Sequence, residues 1–371
     1  MSARAAEATV ANRPAGADSG ASRRRSLRVA LLLESDGPGG AEVMLLQLGT
    51  ELRARGHTVV PVGPAHGCGW LAERWRERGF EPETFSLRRP LDFGCLRGLV
   101  RTLKAHEIDV IHSHEFTMAV YGTAAAKILR RPHVITHHSN LYFARRRRRR
   151  LAMRWACRHS AAVVAVSHVT RRELESACRL EPGRVRVIYN GVPARPGDRR
   201  RVREEVRAAD DEVLVLALGT LEPRKGHRLL LEALAALRRR RPDLRWRAVI
   251  AGQDRWEGAA LRALAQTEGI GERVHLLGYR ADVPDLIAAA DLFAMPSLHE
   301  GLPMALLEAM MAGVPVLASD AGGIPEVIRH AGEGRIVPRG DVAALERELG
   351  DLLANASLRR ELGAAGRARA E

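Results

Sequence analysis

The stretch Pro296-Ser-Leu-His-Glu-Gly-Leu-Pro-Met-Ala-Leu-Leu-Glu-Ala-Met-Met-Ala-Gly313 directly follows the apolar run 291–295. The apolar run is typical of a buried strand, and helical spacing begins after the polar loop. Pro303 stands where the first turn of a helix accepts proline, and Gly313 stands where a helix ends. The stretch therefore predicts a strand, a loop and a helix whose N-terminus faces the loop. Such an N-terminus offers unpaired N–H groups and a partial positive charge, which favour phosphate.

Two carboxylates flank this predicted phosphate seat, Glu300 in the loop and Glu308 on the helix. A carboxylate repels phosphate, so we expect both to accept hydrogen bonds from sugar hydroxyls. Their spacing, with seven residues between them, resembles the signature of the retaining GT-B glycosyltransferases, glycosyltransferase family 4. The resemblance covers roughly residues 27–356. It implies that Glu308 binds the nucleotide ribose and Glu300 the donor sugar, with Gly301, Leu302 and Pro303 beside the donor.

The resemblance also implies the fold class: α/β, GT-B, with two Rossmann-like domains facing across a cleft. A chain of 371 residues agrees with two domains. We expect a disordered tail at 1–26, an acceptor domain at 27–192, a linker at 193–211 and a donor domain at 212–371. Family members usually continue with a helix that crosses back to the first domain, and we expect this helix to be absent here.

The overall composition indicates a cytoplasmic protein. No apolar run is long enough to span a bilayer, and the first 26 residues have no apolar segment typical of a secretory signal. The four cysteines are scattered and form no metal-ligand pair, which fits a reducing compartment.

The net charge of +15 comes mostly from arginine. Nucleic acid is disfavoured as a partner because only 4% of residues are aromatic and none alternates with the arginine runs. Arg145–Arg150 are six consecutive arginines preceded by Tyr142 and Phe143. They indicate either a solvated helix start or contact with an anionic membrane, which would place the protein peripherally on the inner membrane face.

The first domain opens with a predicted strand at 28–34 and a loop with glycines at 37, 39 and 40. The spacing lacks the third glycine of a dinucleotide-binding loop, so a plain strand-to-helix turn remains an alternative. The resemblance places Gly39 and Gly40 near the donor phosphates and the acceptor.

His112 and His114 end another predicted strand, where alternation puts both on one side and parallel sheets bind ligands. They indicate either a hydrogen-bonded structural pair or a metal pair, with His137 and His138 ending the next strand. No third ligand can be assigned, so we predict no metal site. The resemblance favours His114 as a catalytic-site residue against the reacting sugar.

The second domain carries Arg224 and Lys225 in a strand-to-helix loop. They are either a surface pair or, as the resemblance implies, the cations that stabilise the donor diphosphate without a metal. Many family members have arginine where this chain has Thr220. The resemblance further implies that the loop Gly278–Arg280, including Tyr279, cradles the nucleobase through its backbone. We expect the glycines at 322 and 323 to leave room for the donor.

These patterns predict a retaining, metal-independent hexosyltransferase. It would take a nucleotide-diphosphate sugar as co-substrate, need no further cofactor, and act on a lipid-linked, polysaccharide or small-molecule acceptor of the cell envelope. Its catalytic residues would be His114, Arg224, Lys225 and Glu300. Two alternatives remain: a nucleotide-sugar epimerase or hydrolase of the same fold, and a nucleotide-binding homologue without catalysis.

Overall fold

The computed structural model describes residues 25–67, 69–138 and 142–371. Most of the predicted tail at 1–26 lies outside these ranges, and so does Cys68. Within the described ranges, no helix is both long enough and apolar enough to cross a bilayer.

The first half of the chain alternates strands and helices. Its strands are β1 (Arg28–Leu32), β2 (Thr58–Pro64), β3 (Glu83–Phe85), β4 (Val110–His114), β5 (His133–His137), β6 (Ala162–Ala165) and β7 (Val185–Val187). Its helices are α1 (Gly40–Ala54), α2 (Trp70–Glu77), α3 (Phe93–Ala105), α4 (Glu115–Leu129), α5 (Arg147–His159) and α6 (His168–Cys178).

The second half repeats the alternation. Its strands are β8 (Val213–Leu218), β9 (Trp246–Ala251), β10 (Val274–Gly278), β11 (Leu292–Met295), β12 (Val316–Ser319) and β13 (Arg335–Val337). Its helices are α7 (Arg199–Glu205), α8 (His227–Arg240), α9 (Gly258–Thr267), α10 (Val283–Ala289), α11 (Met304–Met311), α12 (Ile324–Val327), α13 (Val342–Ala354) and α14 (Ala356–Ala370).

The strands form two parallel sheets, in the orders β3-β2-β1-β4-β5-β6-β7 and β10-β9-β8-β11-β12-β13. Each sheet is covered on both faces, which is why strands such as β8 are apolar at every position and buried throughout. Strand order reverses between β1 and β4 in the first sheet and between β8 and β11 in the second. Ligands bind outside the carboxyl ends of strands at such reversals. The predicted class of two Rossmann-like α/β halves is confirmed.

Two boundaries differ from the sequence prediction. Helix α7 lies inside the predicted linker 193–211, yet it packs against α10, and Val202 and Val206 are buried in the second core. Pro303 caps helix α11 with an extended backbone rather than occupying its first turn. Gly313 ends the helix region as predicted, with a φ of +75° that suits glycine.

The two halves are joined by direct contacts. The Glu326 carboxylate accepts hydrogen bonds from the backbone N–H groups of His168 (2.7 Å) and Val169 (2.8 Å), at the start of α6. The Asn190 side-chain amide donates to the Leu302 carbonyl at 2.9 Å. These bonds hold the loop before α11 against the first half. The last helix, α14, packs mainly on α11 of the second half.

Candidate functional site

A cavity of about 610 Å³ lies between the two halves. Loops that follow β1, β8 and β11 line it, as the strand-order reversals predict. Most of the sequence-predicted site residues line this one cavity: Gly39, Gly40, Arg224, Lys225, Tyr279, Glu300, Gly301, Leu302, Pro303 and Glu308. The predicted residues His114 and Gly278 are outside this lining.

Two helix N-termini approach each other across the cavity. Helix α1 begins after Gly39 and helix α11 after Pro303, and neither N-terminus has a side-chain cap. A Cβ added to Gly40 would lie 3.5 Å from the Met304 Cγ, which shows how close the two helix starts are. The dipole and N–H groups of α11 therefore favour an anion in the cavity, whereas at the start of α1 the Glu42 carboxylate accepts a hydrogen bond from its own backbone N–H.

Lys225 and Glu300 form an ion pair in the cavity wall. The Lys225 Nζ lies 2.6 Å from the Glu300 Oε1, and the two side chains are 14% and 6% exposed. The Ser297 hydroxyl also donates to the Glu300 Oε1 at 2.8 Å. The Leu298 N–H donates to the Arg224 carbonyl at 2.8 Å, so the two loops are fixed to each other. The site thus holds one cation beside a buried carboxylate in the cavity wall.

Arg224 is more exposed than Lys225. Its guanidinium lies 2.7 Å from the Glu222 carboxylate, whose other partner is the Thr220 hydroxyl. Thr220 replaces the arginine that many family members carry, and Arg255, which the sequence analysis missed, also lines the cavity. Arg224, Lys225 and Arg255 therefore supply cations to the second-half wall, and Arg280 lies in the same lining.

Glu308 lines the same cavity. Burial raises the pKa of its carboxyl, and the nearby Arg195 opposes the shift. Arg195 lines the cavity as well. A half-buried carboxylate with one nearby cation suits hydrogen bonds from ligand hydroxyls.

The nucleobase loop predicted at Gly278–Arg280 reaches the first half of the chain. The Trp70 Nε1 donates to the Tyr279 hydroxyl at 2.6 Å, and the two rings meet edge to face. Gly278 has a φ of +67°, and its carbonyl accepts from the Gly252 N–H at 2.8 Å. Gly278 therefore shapes the loop, while Tyr279 lines the cavity.

The histidine cluster lies behind the cavity wall. The rings of His112 and His114 are 4.3 Å apart, on one side of β4 as predicted, and the His114 Nδ1 lies 3.1 Å from the His138 Nε2. His114 is fully buried, and burial holds its pKa well below the usual range. In this structure His138 and Glu115 line the cavity instead. Within the described ranges, no group of three or more potential ligands is placed to hold a metal ion.

The prediction that the glycines at 322 and 323 leave room for the donor is wrong. A Cβ on Gly322 would lie 1.8 Å from the Glu300 carbonyl oxygen, and one on Gly323 would lie 2.4 Å from the Gly301 carbonyl oxygen. The Gly323 N–H donates to that Gly301 carbonyl at 2.7 Å. The space at these glycines is filled by the loop that carries Glu300, so they support that loop.

Four carboxylates of the first half that line the cavity were missed by the sequence analysis: Glu34, Glu42, Glu77 and Glu115. Glu34, Glu42 and Glu115 follow or precede separate strands and helices, and all line the cavity. Glu34 accepts hydrogen bonds from the Tyr142 hydroxyl at 2.5 Å and the Thr117 N–H at 2.8 Å. The only sequence signal was position, since Glu34 and Glu115 directly follow apolar strands. The first-half wall therefore holds several carboxylates, and Arg74 and Arg78 line the same wall.

Comparisons with known proteins agree over both halves. Residues 38–196 match the family model described as Glycosyltransferase Family 4, and residues 198–369 match the one described as Glycosyl transferases group 1. The GDP-mannose-dependent alpha-(1-6)-phosphatidylinositol monomannoside mannosyltransferase of Mycolicibacterium smegmatis is 31% identical over 363 residues, covering 91% of this chain and 92% of that protein. A D-inositol 3-phosphate glycosyltransferase of Streptomyces scabiei is 30% identical, covering 71% of this chain and 64% of that protein.

Solved structures show the same architecture. The structure of Anabaena HepE in complex with UDP-glucose is 26% identical, with a TM-score of 0.78 over 93% of this chain and 94% of that one. WaaG, a glycosyltransferase involved in lipopolysaccharide biosynthesis, shares the fold at 21% identity, with a TM-score of 0.69 over 92% of this chain and 95% of that one.

Proposed function

Because the chain belongs to the group 1 glycosyltransferases of family 4, with the GT-B fold, we propose that it moves a hexosyl group from a nucleotide-diphosphate sugar to an acceptor, with retention of anomeric configuration and without a metal. One observation carries the proposal: Lys225, Glu300 and Glu308 line a single cavity with the uncapped N-terminus of α11. That arrangement suits a diphosphate with a ribose on one side and a sugar on the other.

In this mechanism the second half binds the donor. The N-terminus of α11 and Lys225 stabilise the diphosphate as it leaves, because fixed charge aimed at developing charge is usually the largest catalytic term. Glu308 accepts hydrogen bonds from the ribose and Glu300 from the donor sugar. The departing phosphate oxygen takes the proton of the acceptor hydroxyl, which attacks from the same face and so retains the configuration. His114 supports the wall at the reacting centre through His138.

The direct test mixes the protein with UDP-glucose or GDP-mannose, the nucleotide sugars named for relatives, and with phosphatidylinositol vesicles or D-inositol 3-phosphate. Transfer is measured by mass spectrometry, and proton NMR of the product gives its anomeric configuration. Release of free sugar without any glycosylated product, or an inverted linkage, would contradict the proposal.

Glu308 gives a first prediction. Glu308→Ala is expected to weaken the binding of the matching nucleoside diphosphate by roughly tenfold to a hundredfold, because hydrogen bonds to a charged group contribute about 1.5–3 kcal/mol. Isothermal titration calorimetry measures the change, and Glu361→Ala, at an exposed carboxylate outside the cavity, is the control. Wild-type affinity of Glu308→Ala for the nucleoside diphosphate would contradict the proposed binding of the ribose by Glu308.

We also propose that the acceptor is carried on an anionic membrane. The arginine run spans the start of α5, where Arg147 and Arg148 are exposed. The Arg149 guanidinium lies 5.7 Å from the ring centre of Tyr142, which lines the cavity. The cleft therefore opens beside the arginine run, and a lipid headgroup in the cleft would bring its membrane to α5.

A second prediction follows for the double variant Arg147→Ser/Arg148→Ser. It is expected to bind vesicles containing anionic lipid roughly thirtyfold more weakly, because each arginine near such a surface contributes about 1 kcal/mol. Vesicle sedimentation measures the change. The control is Arg239→Ser/Arg240→Ser, which removes the same charge from an exposed pair at the end of α8. Equal losses in both double variants would indicate a general charge effect and contradict a specific membrane face.

A further inference from the structure

Glu115 occupies a strained position in the cavity wall. It is the first residue of α4, directly after β4, and its φ is +64°, in the left-handed region that glycine favours. A non-glycine residue there costs free energy, and such residues concentrate at functional sites. The side chain is only 9% exposed and lines the cavity. A glycine would adopt this turn without strain. The chain instead has a strained glutamate here, whose carboxyl lies in the cavity wall.

The surroundings of Glu115 disfavour a negative charge on it, although one backbone hydrogen bond opposes that effect. The Glu34 carboxylate, on the loop after β1, accepts hydrogen bonds from the Tyr142 hydroxyl and the Thr117 N–H. Among the residues that the structure describes, none forms a salt bridge with Glu115, and the backbone of His138 supplies a hydrogen bond. Burial, followed by the charges of Glu34 and Glu42, raises the pKa of Glu115 to about 8.

Within the described parts of the chain, no cation stabilises the charged form of Glu115. Burial lowers the pKa of His112 to about 4 and that of His138 to about 3, so both rings are neutral at physiological pH. The pKa of the buried His114 is lowered as well. Across the cavity, the charge of Lys225 is already paired with Glu300.

The carboxylates of this wall can only accept hydrogen bonds, whereas a carboxylic acid also donates one. A hydroxyl of a bound polyol both donates and accepts. Such a hydroxyl is therefore held best between a carboxylate, which accepts a hydrogen bond from its O–H, and a carboxylic acid, which donates a hydrogen bond to its oxygen. Glu34 supplies the first partner, and Glu115 is the group whose surroundings favour the second.

We propose that Glu115 is a substrate-binding residue that presents a carboxylic acid to the acceptor and donates a hydrogen bond to one of its hydroxyl oxygens. This inference rests on the proposed function, since it assigns a residue to the acceptor side of the same cleft. It also assigns the acceptor class: a polyhydroxylated ring, held by a neighbouring donor and acceptor of the first-half wall.

The test compares four proteins with whichever donor and acceptor of the direct assay gives transfer. Glu115→Gln keeps a neutral donor and is expected to stay within about threefold of the wild-type kcat/KM for the acceptor at pH 7. Glu115→Ala and Glu115→Gly are expected to lose tenfold or more, mainly through a higher acceptor KM. Glu115→Gly relieves the backbone strain, so it keeps the test valid where Glu115→Ala folds poorly. Nucleoside diphosphate affinity is expected to be unchanged in all three variants.

The pH profile separates a proton-bearing role from a structural one. The wild-type kcat/KM for the acceptor is expected to fall as pH rises through about 8, since Glu115 then loses the proton that it donates. Glu115→Gln cannot titrate and is expected to lack this fall. An unchanged fall in Glu115→Gln, or a wild-type acceptor KM in folded Glu115→Gly, would overturn the proposal alone. Failure of the wild-type chain to transfer to any acceptor, while still binding nucleoside diphosphate, would overturn the proposed function and this inference with it.

Discussion

Lys225→Ala is expected to lower kcat by roughly 10²- to 10³-fold, the scale for losing one preorganised stabilising group in an active site. The Lys225 ammonium is held 2.6 Å from the Glu300 carboxylate in a wall that is largely closed to water. Two unit charges 4 Å apart attract by about 4 kcal/mol at an effective dielectric of 20. A cation at this position therefore stabilises a leaving diphosphate more strongly than an exposed one would.

The same substitution is also expected to destabilise the fold. Removing one partner of a buried ion pair leaves the other charge unpaired, which costs about 3–5 kcal/mol. Activity must therefore be measured below the unfolding temperature of the variant, with circular dichroism confirming the folded state. Lys127→Ala, at an exposed position on α4, controls for loss of a lysine. Wild-type kcat in folded Lys225→Ala would remove Lys225 from the mechanism and leave the ion pair as a structural feature.

Most of the second-half wall was found from the strand-loop-helix pattern together with the family resemblance, although Arg255 was missed. Glu300 and Glu308 lie on one strand-loop-helix unit, and Lys225 lies at the end of a neighbouring strand, so topology alone brings them to the same sheet edge. The alternation of apolar runs and helical spacing predicted individual strands and helices, whereas the arrangement of the two halves was an implication of the family resemblance. Short-range patterns of this kind predict local structure because each one is confined to a single supersecondary unit.

The first-half wall could not be predicted in this way. Glu34, Glu42 and Glu115 come from the ends of different elements, and nothing local says that their carboxyls meet. His114 is the opposite case, because it was predicted to contact the reacting sugar but lies behind the cavity wall. The strand alternation was right, but whether its ring or the neighbouring Glu115 faces the cleft depends on a left-handed turn at Glu115. Such a turn is set by tertiary packing, since glutamate has no local preference for it.

Helix α7 was missed as part of the second core for a related reason. Its seven residues read Arg-Arg-Arg-Val-Arg-Glu-Glu, so a single apolar side chain marks its buried face. Asp198 caps its start by accepting from the N–H groups of Arg200 and Arg201. Arg203 is buried because its guanidinium meets Asp291 at 2.9 Å. A charged side chain that is paired inside a core has no distinctive sequence pattern.

Gly322→Ala is expected to destabilise the protein by about 2–6 kcal/mol and to lower activity beyond that loss. The φ of +55° at Gly322 strains any other residue, by about 1–3 kcal/mol. The added Cβ would also lie 1.8 Å from the Glu300 carbonyl oxygen, so the backbone of that loop must move, at a further cost of about 1–3 kcal/mol. Because Glu300 moves with its backbone, its pairing with Lys225 is expected to weaken.

Gly340→Ala separates the cost of the positive φ from the cost of the steric clash of the added Cβ. Gly340 has a φ of +84° in the same half of the chain, but a Cβ there meets nothing within 4 Å. This control is therefore expected to lose only the conformational part, about 1–2 kcal/mol, and to keep wild-type kcat. Urea denaturation measures both losses in free energy of unfolding, and transfer assays on the folded proteins measure kcat. Equal losses of stability in the two variants, with kcat unchanged in Gly322→Ala, would mean that the loop tolerates the displacement and that Gly322 does not position Glu300.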